Sequence, residues 1–245
     1  MPAAALDARL RTFLTSLGAL GFTTAPAPTI TPLADRDWNE AWREHFRPLP
    51  VGRRLLVAPP WDVPRSSGRM VLIIEPGRAF GTGHHGSTAG CLELLERTLE
   101  TAAPGTAIDL GTGSGILAIA AARLDVPAIL AVDDDPDAVA VATANARIND
   151  VSGRVTCRLG DVAALDAPPA PLVLANILAA AHVRLTACYR RLVTPGGALL
   201  LGGILDGEAD EVRGRLRADG FTAEDALSID GWTALGCRAP LHDLA

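Results

Sequence analysis

Short apolar runs alternate with longer segments of helical periodicity from residue 106 to the end of the chain. The short runs are typical of buried strands, and the periodic segments are typical of helices that pack on a sheet. The pattern predicts strands at 106–110, 128–132, 154–159, 171–175, 198–204, 222–229 and 232–238, helices at 115–124, 136–149, 178–192 and 206–219, and a turn at 195–197. The alternation predicts an α/β fold with a doubly wound, mostly parallel sheet of seven strands. Because no helix separates the last two strands, we expect them to close as a hairpin with one antiparallel strand.

The chain before residue 106 has a less regular pattern. Residues 3–17 carry Phe13 and four leucines at helical spacing, which predicts a helix that ends at Gly18 and Gly21. Further predictions are an extended linker at 25–32, a helix at 35–46 with Trp38, Trp42 and Phe46 on one face, strands at 53–58 and 70–75, and a helix at 87–100 with Ser87 or Thr88 as its N-cap. We expect a short N-terminal helix and linker (1–34), a linker helix and strand (35–60) and a main domain (61–245).

The turn after the strand 106–110 has a glycine at every second position from Gly111 to Gly115. This spacing lets the backbone turn sharply into a helix and approach a ligand closely, with the free N–H groups of the helix start directed at it. The dinucleotide fingerprint places its third glycine three residues after the second, and Ile116 occupies that position. A dinucleotide oxidoreductase is therefore disfavoured.

Polar residues at the carboxyl ends of the predicted strands indicate a nucleoside ligand. Asp133 ends the second strand, where a carboxylate can accept hydrogen bonds from both ribose hydroxyls. The candidate cofactor residues are Asp109, Gly111, Gly113, Asp133 and Asp161, the last of which could face the adenine edge. A nucleoside that needs no pyrophosphate cradle is the first candidate ligand, and S-adenosylmethionine is the commonest such ligand on this kind of fold.

Asn176 follows a buried apolar run, 172–175, at the end of the fourth strand. Its amide offers both an acceptor and a donor, so it can hold an amine nitrogen in line with an activated methyl group. The alternative is a turn asparagine that bonds to its own backbone. The adjacent histidines His84 and His85 lack metal-ligand spacing with the other histidines, so no metal site is predicted.

The amino-acid composition limits the binding partners and the cellular compartment that we expect for this protein. The net charge of −6 does not suggest a broad nucleic-acid footprint, and direct nucleic-acid binding is not expected. The four cysteines lie far apart without metal spacing, and we expect buried, reduced thiols in a cytosolic protein. Neither a signal peptide nor an apolar stretch of about 20 residues is present, so we expect a cytoplasmic protein without a membrane partner.

Several ordered motifs resemble those of the bacterial ribosomal protein L11 methyltransferases. They lie at 37–42 (DWNEAW), 79–85 (AFGTGHH), 109–115 (DLGTGSG), 132–136 (VDDDP), 176–179 (NILA) and 201–205 (LGGIL). The similarity extends from about residue 35 to the end of the chain. It implies a class I, Rossmann-like methyltransferase that uses S-adenosylmethionine. The expected acceptor is a lysine ε-amine or an N-terminal α-amine, with ribosomal protein L11 as substrate.

The resemblance also implies residue roles. Carried over by position, the family's cofactor contacts fall on Thr88, Gly111, Asp133 and Asn176. The loop of Phe80, Gly81, Thr82 and Gly83 would close over the methionine end of the cofactor. The catalytic candidates are Asn176, which would orient the amine, and His84, a candidate general base.

One feature departs from the family. Its members begin with a small α/β substrate-recognition domain, whereas only about 34 residues precede the expected linker helix here. A shortened relative could therefore methylate another protein. The alternatives are a methyltransferase of a small molecule or RNA and a non-catalytic nucleoside-binding protein, which a cofactor titration and a methylation assay separate.

Overall fold

The computed structural model describes residues 3–23, 46–76 and 85–241, with side chains from residue 5 onwards. The chain divides into two compact units, Met1–His45 and Phe46–Ala245. The described part of the first unit contains helix α1 (Ala3–Ala19), which continues past Gly18 before the backbone turns at Gly21. The linker expected at 25–32 and most of the helix expected at 35–46 lie outside the described residues. No helix in the described ranges is both long and apolar enough to span a membrane.

The second unit contains ten strands and five helices among its described residues. The strands are β1 (Leu49–Val51), β2 (Leu55–Ala58), β3 (Met70–Ile73), β4 (Thr106–Leu110), β5 (Ala128–Asp133), β6 (Val155–Leu159), β7 (Ala170–Asn176), β8 (Val193–Leu205), β9 (Thr222–Ile229) and β10 (Trp232–Arg238). The helices are α2 (Gly86–Thr101), α3 (Ile116–Arg123), α4 (Pro136–Ile148), α5 (Ala179–Leu192) and α6 (Ala209–Ala218), the last preceded by a 3-10 turn at Asp206–Glu208.

Seven strands form one sheet in the order β6-β5-β4-β7-β8-β10-β9. All of the strand pairs are parallel except those of β10, which runs antiparallel to both β8 and β9. The hairpin between β9 and β10 turns at Asp230 and Gly231, which have φ angles of 52° and 81°. Two successive left-handed residues are typical of the tight turn that joins twisted antiparallel strands. The predicted fold class and the single antiparallel strand are confirmed.

The sheet is covered on both faces, as a doubly wound fold requires. Along β7, Leu172 and Leu174 belong to one buried cluster, and Val173 and Ala175 belong to the other. Successive side chains of a strand point to opposite faces, so a strand buried on both sides is apolar throughout. Helices α2 and α3 contribute to the first cluster, and α5 and α6 contribute to the second.

A second sheet, of order β1-β2-β3, holds one strand that the sequence pattern missed. Strand β1 has only three residues and pairs antiparallel with β2. Asn149, the C-cap of α4, joins this sheet to the main fold. Its side chain accepts from the Ile73 N–H at 2.8 Å and donates to the Ile73 carbonyl at 2.7 Å. An amide side chain thus takes the place of a neighbouring strand at the edge of β3.

Two local predictions are wrong. Residues 195–197, which were expected to form a turn, lie within β8. Val193 pairs with Ala170 of β7, and the next paired residue of β8 is Ala198, opposite Leu172, so β8 contains extra residues between these two pairs. The Pro-Gly-Gly sequence is thus absorbed as an irregularity in the strand. Helix α2 begins at Gly86 with His85 as N-cap, rather than at Ser87 or Thr88.

Candidate functional site

The glycine turn between β4 and α3 has three left-handed residues. The φ angles of Gly111, Gly113 and Gly115 are 68°, 54° and 82°, a region that L side chains rarely adopt. The N–H groups of Gly111 and Thr112 bond to the carbonyl of Val132 on β5, at 2.8 and 3.0 Å. The turn therefore lies against the carboxyl end of the neighbouring strand.

Neighbouring atoms leave no room for a side chain at Gly111 and Gly115. A Cβ at Gly111 would lie 2.6 Å from Cγ2 of Ile177, and a Cβ at Gly115 would lie 3.1 Å from Cα of Ala142. The backbone of the turn is therefore enclosed by the segment after β7 and by α4. This close packing fixes the positions of the N–H groups at the start of α3.

Replacing Gly111 by alanine should weaken cofactor binding. The alanine would sit at positive φ and collide with Ile177. If this strain of about 1–3 kcal/mol falls on cofactor binding, the Kd for S-adenosylmethionine rises about 5- to 160-fold. Titration calorimetry measures this change. Gly105→Ala is the matched control, because a Cβ there meets no atom within 4 Å. An unchanged Kd in Gly111→Ala would show that the turn does not need its glycine.

Asp109 lies beneath the glycine turn and is only 1% exposed. Its Oδ2 accepts a hydrogen bond from Thr112 Oγ1 at 2.6 Å and one from the Ala118 N–H at 3.2 Å. The carboxylate thus ties the turn to the first part of α3. Burial raises the pKa of Asp109 to about 6, although the bonds from Thr112 and Ala118 act in the opposite direction.

This raised pKa predicts a pH-dependent cost in stability. The folded protein binds the Asp109 proton more tightly than the unfolded chain, whose pKa is near the ordinary value of 3.8. Between these two pKa values, rising pH lowers the free energy of unfolding by about 1.4 kcal/mol per pH unit. Asp109→Asn keeps an acceptor oxygen and removes the titration, so its stability should exceed that of the wild type increasingly from about pH 4 to about pH 6.

Urea unfolding of both proteins across this range measures the difference. A constant difference would show that Asp109 does not titrate with a raised pKa.

Asp133 ends β5 with its carboxylate held at both oxygens. Oδ2 accepts from the Gly113 N–H at 2.8 Å, and Oδ1 accepts from the Asp135 N–H at 3.1 Å. The residue is 9% exposed. Each carboxylate oxygen can accept more than one hydrogen bond, so this group retains acceptor capacity beside the glycine turn.

Asp161 follows β6, the strand next to β5, and is exposed. Its Oδ1 accepts from the Ala163 N–H at 2.8 Å, a bond of the kind that stabilises aspartate turns. Gly160, immediately before it, donates its N–H to the Asp133 carbonyl at 2.9 Å. The structure thus places Asp161 at the same edge of the sheet as Asp133, and its contact with the adenine stays a prediction.

Asn176 ends β7, the strand on the other side of β4. Its Nδ2 donates to Oγ1 of Thr88 at 3.1 Å, and Thr88 is fully buried in the first turn of α2. Its Oδ1 is buried from solvent but has no hydrogen-bond partner among the described residues. Because an unsatisfied buried acceptor is costly, this oxygen indicates a place for a donor from a ligand.

The structure adds one aromatic contact that the sequence analysis did not propose. The ring of His85 lies 4.4 Å from the ring of Trp232 between centroids, tilted by 59°. His85 Nδ1 also lies 2.8 Å from Oγ of Ser87. Trp232 begins the antiparallel strand β10, so it lies at the edge where the parallel strands end. Its only sequence signal was an aromatic residue directly after the hairpin turn.

Five further predicted site residues belong to the segment between β3 and α2. Phe80, Gly81, Thr82, Gly83 and His84 lie outside the described residues, so their roles stay predictions. Within the ranges that the structure describes, no group of three potential ligands could hold a metal ion.

The fold is shared with a solved methyltransferase. A crystal structure of the ribosomal protein L11 methylase from Lactobacillus delbrueckii subsp. bulgaricus superposes with a TM-score of 0.72 and 25% identity, over 80% of this chain and 100% of that one. An RNA methyltransferase from Salinibacter ruber, at 23% identity and a TM-score of 0.50, shares the fold alone. The sheet and the site define an α/β (class I) methyltransferase that uses S-adenosylmethionine.

Sequence comparison identifies the family. Residues 7–240 match the ribosomal protein L11 methyltransferase (PrmA) family, and this chain belongs to it. The ribosomal protein L11 methyltransferase of Trichlorobacter lovleyi is 40% identical over 242 residues, covering 94% of this chain and 76% of that protein. The corresponding protein of Geobacter metallireducens is 42% identical over 214 residues, covering 86% and 69%. The resemblance inferred from the motifs is thus confirmed.

Proposed function

We propose that this chain transfers methyl groups from S-adenosylmethionine to amines of ribosomal protein L11. The observation that carries this function is the buried Oδ1 of Asn176, which has no partner within residues 3–23, 46–76 and 85–241. It lies at the carboxyl edge of the sheet, next to the strand that leads into the glycine turn. The names of the relatives support ribosomal protein L11 as the substrate. The amine, a lysine ε-amine or an N-terminal α-amine, is part of the same proposal.

The residues present fit the proposed cofactor. The side chains of Thr112 and Ser114 in the glycine turn are buried, and Gly111 and Gly115 have no room for a Cβ. Asp133 stands beside it at the end of β5, where a carboxylate can accept from two ribose hydroxyls. We assign the nucleoside to Gly111, Gly113 and Asp133, and the adenine edge to the region of Asp161. Asp109 supports the turn from below instead of reaching the ligand.

Bound S-adenosylmethionine supplies a methyl group on a sulfonium, which is already a good electrophile. The protein therefore contributes mainly alignment and exclusion of water. Thr88 Oγ1 holds Nδ2 of Asn176, so the Oδ1 of the amide is left to face the amine. An N–H of the substrate amine donates to this oxygen, and the nitrogen lone pair then points away from the donated hydrogen.

The amine must lose its proton before it can act as a nucleophile. A lysine with an ordinary pKa of about 10.4 is protonated at neutral pH. Burial and a neighbouring positive charge both lower that pKa, and the sulfonium of bound S-adenosylmethionine would supply the charge. Asn176 orients the neutral amine as an acceptor and does not itself take the proton. The role of His84 as a base stays a prediction.

The proposal is tested with tritium-labelled S-adenosylmethionine in a cell lysate supplemented with purified ribosomal protein L11. A labelled band at L11 supports the function. Label on a different protein, on RNA or on a small molecule overturns the assigned substrate while keeping the transferase. Cofactor binding without label on any acceptor overturns the transferase proposal and supports a binding role. Heat-inactivated protein is the control for label added by the lysate itself.

The division into 1–34, 35–60 and 61–245 stays a proposal. We infer that substrate selection involves the residues before the main domain, because the cofactor and amine sites occupy the edge of the seven-stranded sheet. The described part of the first unit exposes Phe13 and Phe22.

A further inference from the structure

A buried histidine lies behind the amine site and has no role in the steps described above. His182 on α5 is fully buried. Its Nε2 lies 2.8 Å from the carbonyl oxygen of Gly202, and its Nδ1 lies 2.7 Å from the hydroxyl of Tyr189. Because a carbonyl can only accept, Nε2 carries the proton, and Nδ1 accepts from the Tyr189 hydroxyl. Both ring nitrogens are therefore satisfied in a single tautomer.

The imidazole of His182 stays neutral at physiological pH. Burial lowers its pKa to about 4, although hydrogen bonds with the backbone of Gly202 and Ile177 oppose this shift. The neutral ring has a single N–H, and it lies on Nε2, 2.8 Å from the carbonyl oxygen of Gly202. His182 is thus a fixed donor and not a proton carrier.

Gly202 and Gly203 form an irregularity in β8. Strand β8 advances three residues, from Leu201 to Ile204, while its antiparallel partner β10 advances only two, from Leu235 to Thr233. An extra residue of this kind interrupts the regular ladder, bends the strand and often re-aims groups next to an active site. The hydrogen bond from His182 satisfies the Gly202 carbonyl at this interruption.

The irregular part of β8 lies directly against the amine site. Gly202 pairs with Asn176 across β7 and β8, and a Cβ at Gly202 would lie 3.0 Å from Oδ1 of Asn176. Gly203 has a φ of 76°, and a Cβ there would overlap the carbonyl oxygen of Ile177. The backbone of Gly202 and Gly203 therefore packs directly against Asn176 and Ile177.

We propose that His182 is a positioning residue for methyl transfer, which holds the irregularity at Gly202 in place and so fixes the amide of Asn176. This inference rests on the proposed function of Asn176. A displacement of about 1 Å at a reacting group can reduce the rate about 100-fold. The hydrogen bond from His182 to the Gly202 carbonyl can therefore affect catalysis. Because His182 lies beneath the sheet edge and away from the ribose position, its effect should fall on kcat and not on cofactor affinity.

Two polar substitutions separate the two hydrogen bonds of the ring. His182→Gln can still donate to Gly202 from its longer side chain, whereas His182→Asn keeps an acceptor near Tyr189 but is too short to reach Gly202. We expect kcat at saturating S-adenosylmethionine and L11 to fall about tenfold or more in the Asn variant and to recover largely in the Gln variant. The Kd for S-adenosylmethionine should change by less than about threefold in both, since the ribose position is not touched.

Thr186→Val is the matched control on the same helix. Thr186 is buried and accepts a hydrogen bond from Arg215 at 3.2 Å, so its replacement removes a buried polar contact one turn away from His182. Its kcat should equal that of the wild type. Equal kcat values in the Asn and Gln variants, or a loss of kcat in Thr186→Val as large as in His182→Asn, would overturn the proposal.

A further variant tests the proposal if His182→Asn does not fold. Tyr189→Phe removes the hydroxyl that fixes the ring but leaves the bond to Gly202, and we expect kcat to fall about threefold with an unchanged Kd. A fall in kcat of tenfold or more in Tyr189→Phe, although the bond to Gly202 remains, would overturn the proposal. Methylation by the wild-type protein is measured in parallel. Its absence would contradict the proposed function itself and not only the role of His182.

Discussion

Asn176→Ala should reduce kcat by about 100- to 1,000-fold. The loss of the single cofactor contact that the family resemblance places at Asn176 should raise the Kd for S-adenosylmethionine by only about tenfold. The alanine removes the oxygen that receives the amine N–H, and the amine then no longer has a fixed lone-pair direction. The cofactor residues at Gly113 and Asp133 remain bonded to each other. Steady-state kinetics with purified L11, together with calorimetry for the cofactor, separates these two quantities.

Asn149→Ala is the control for a general loss of stability. Asn149 is also a buried asparagine, and its side chain makes two hydrogen bonds with Ile73 at the edge of β3. Its replacement should lower the free energy of unfolding by about 1–3 kcal/mol but leave kcat at a permissive temperature unchanged. Wild-type turnover by Asn176→Ala with normal cofactor binding would show that the amide does not orient the amine.

Asp133→Ala should abolish tight cofactor binding, with a rise in Kd for S-adenosylmethionine of about 100-fold or more. Two hydrogen bonds from ribose hydroxyls to a carboxylate are worth about 1.5–3 kcal/mol each, and a loss of about 3 kcal/mol corresponds to this factor. The substitution also removes the acceptor of the Gly113 N–H, so the glycine turn loses one of its supports.

Asp134→Ala is the matched control for this charge change. Asp134 is the next residue, carries the same charge and is exposed. Its replacement should leave Kd within about twofold of the wild-type value, because exposed charges contribute little. If the two variants weaken binding equally, then long-range charge, and not the ribose contact, accounts for the effect.

Strands bounded by turn residues were the most predictable part of this fold. The bounds of β9 and β10 match the predicted ranges, because the Asp230-Gly231 turn separates two strands that can only pair as a hairpin. The order of strands on either side of β4 could not be read from the sequence in the same way, since it depends on long-range pairing. The Pro-Gly-Gly segment of β8 was misjudged because neighbouring strands held it in the ladder despite its turn composition.

The site was predictable residue by residue but not as a set of contacts. Asp133 and Asn176 were found because both follow apolar strands and the carboxyl ends of parallel strands share one edge. The hydrogen bond between Asn176 and Thr88 joins residues far apart in the sequence, and no local pattern encodes it. The same is true of His182 and Gly202, where a helix supports an irregular strand from below.

The most direct test of the account is the intact mass of purified ribosomal protein L11 after incubation with the wild-type chain and S-adenosylmethionine. We expect an increase equal to one or more methyl groups, located on lysine or on the N-terminus by peptide mapping. Asn176→Ala should give no detectable increase in the time that the wild type needs to methylate each L11 molecule once. Unchanged L11 mass, with the cofactor bound to the wild-type chain, would contradict the proposed function.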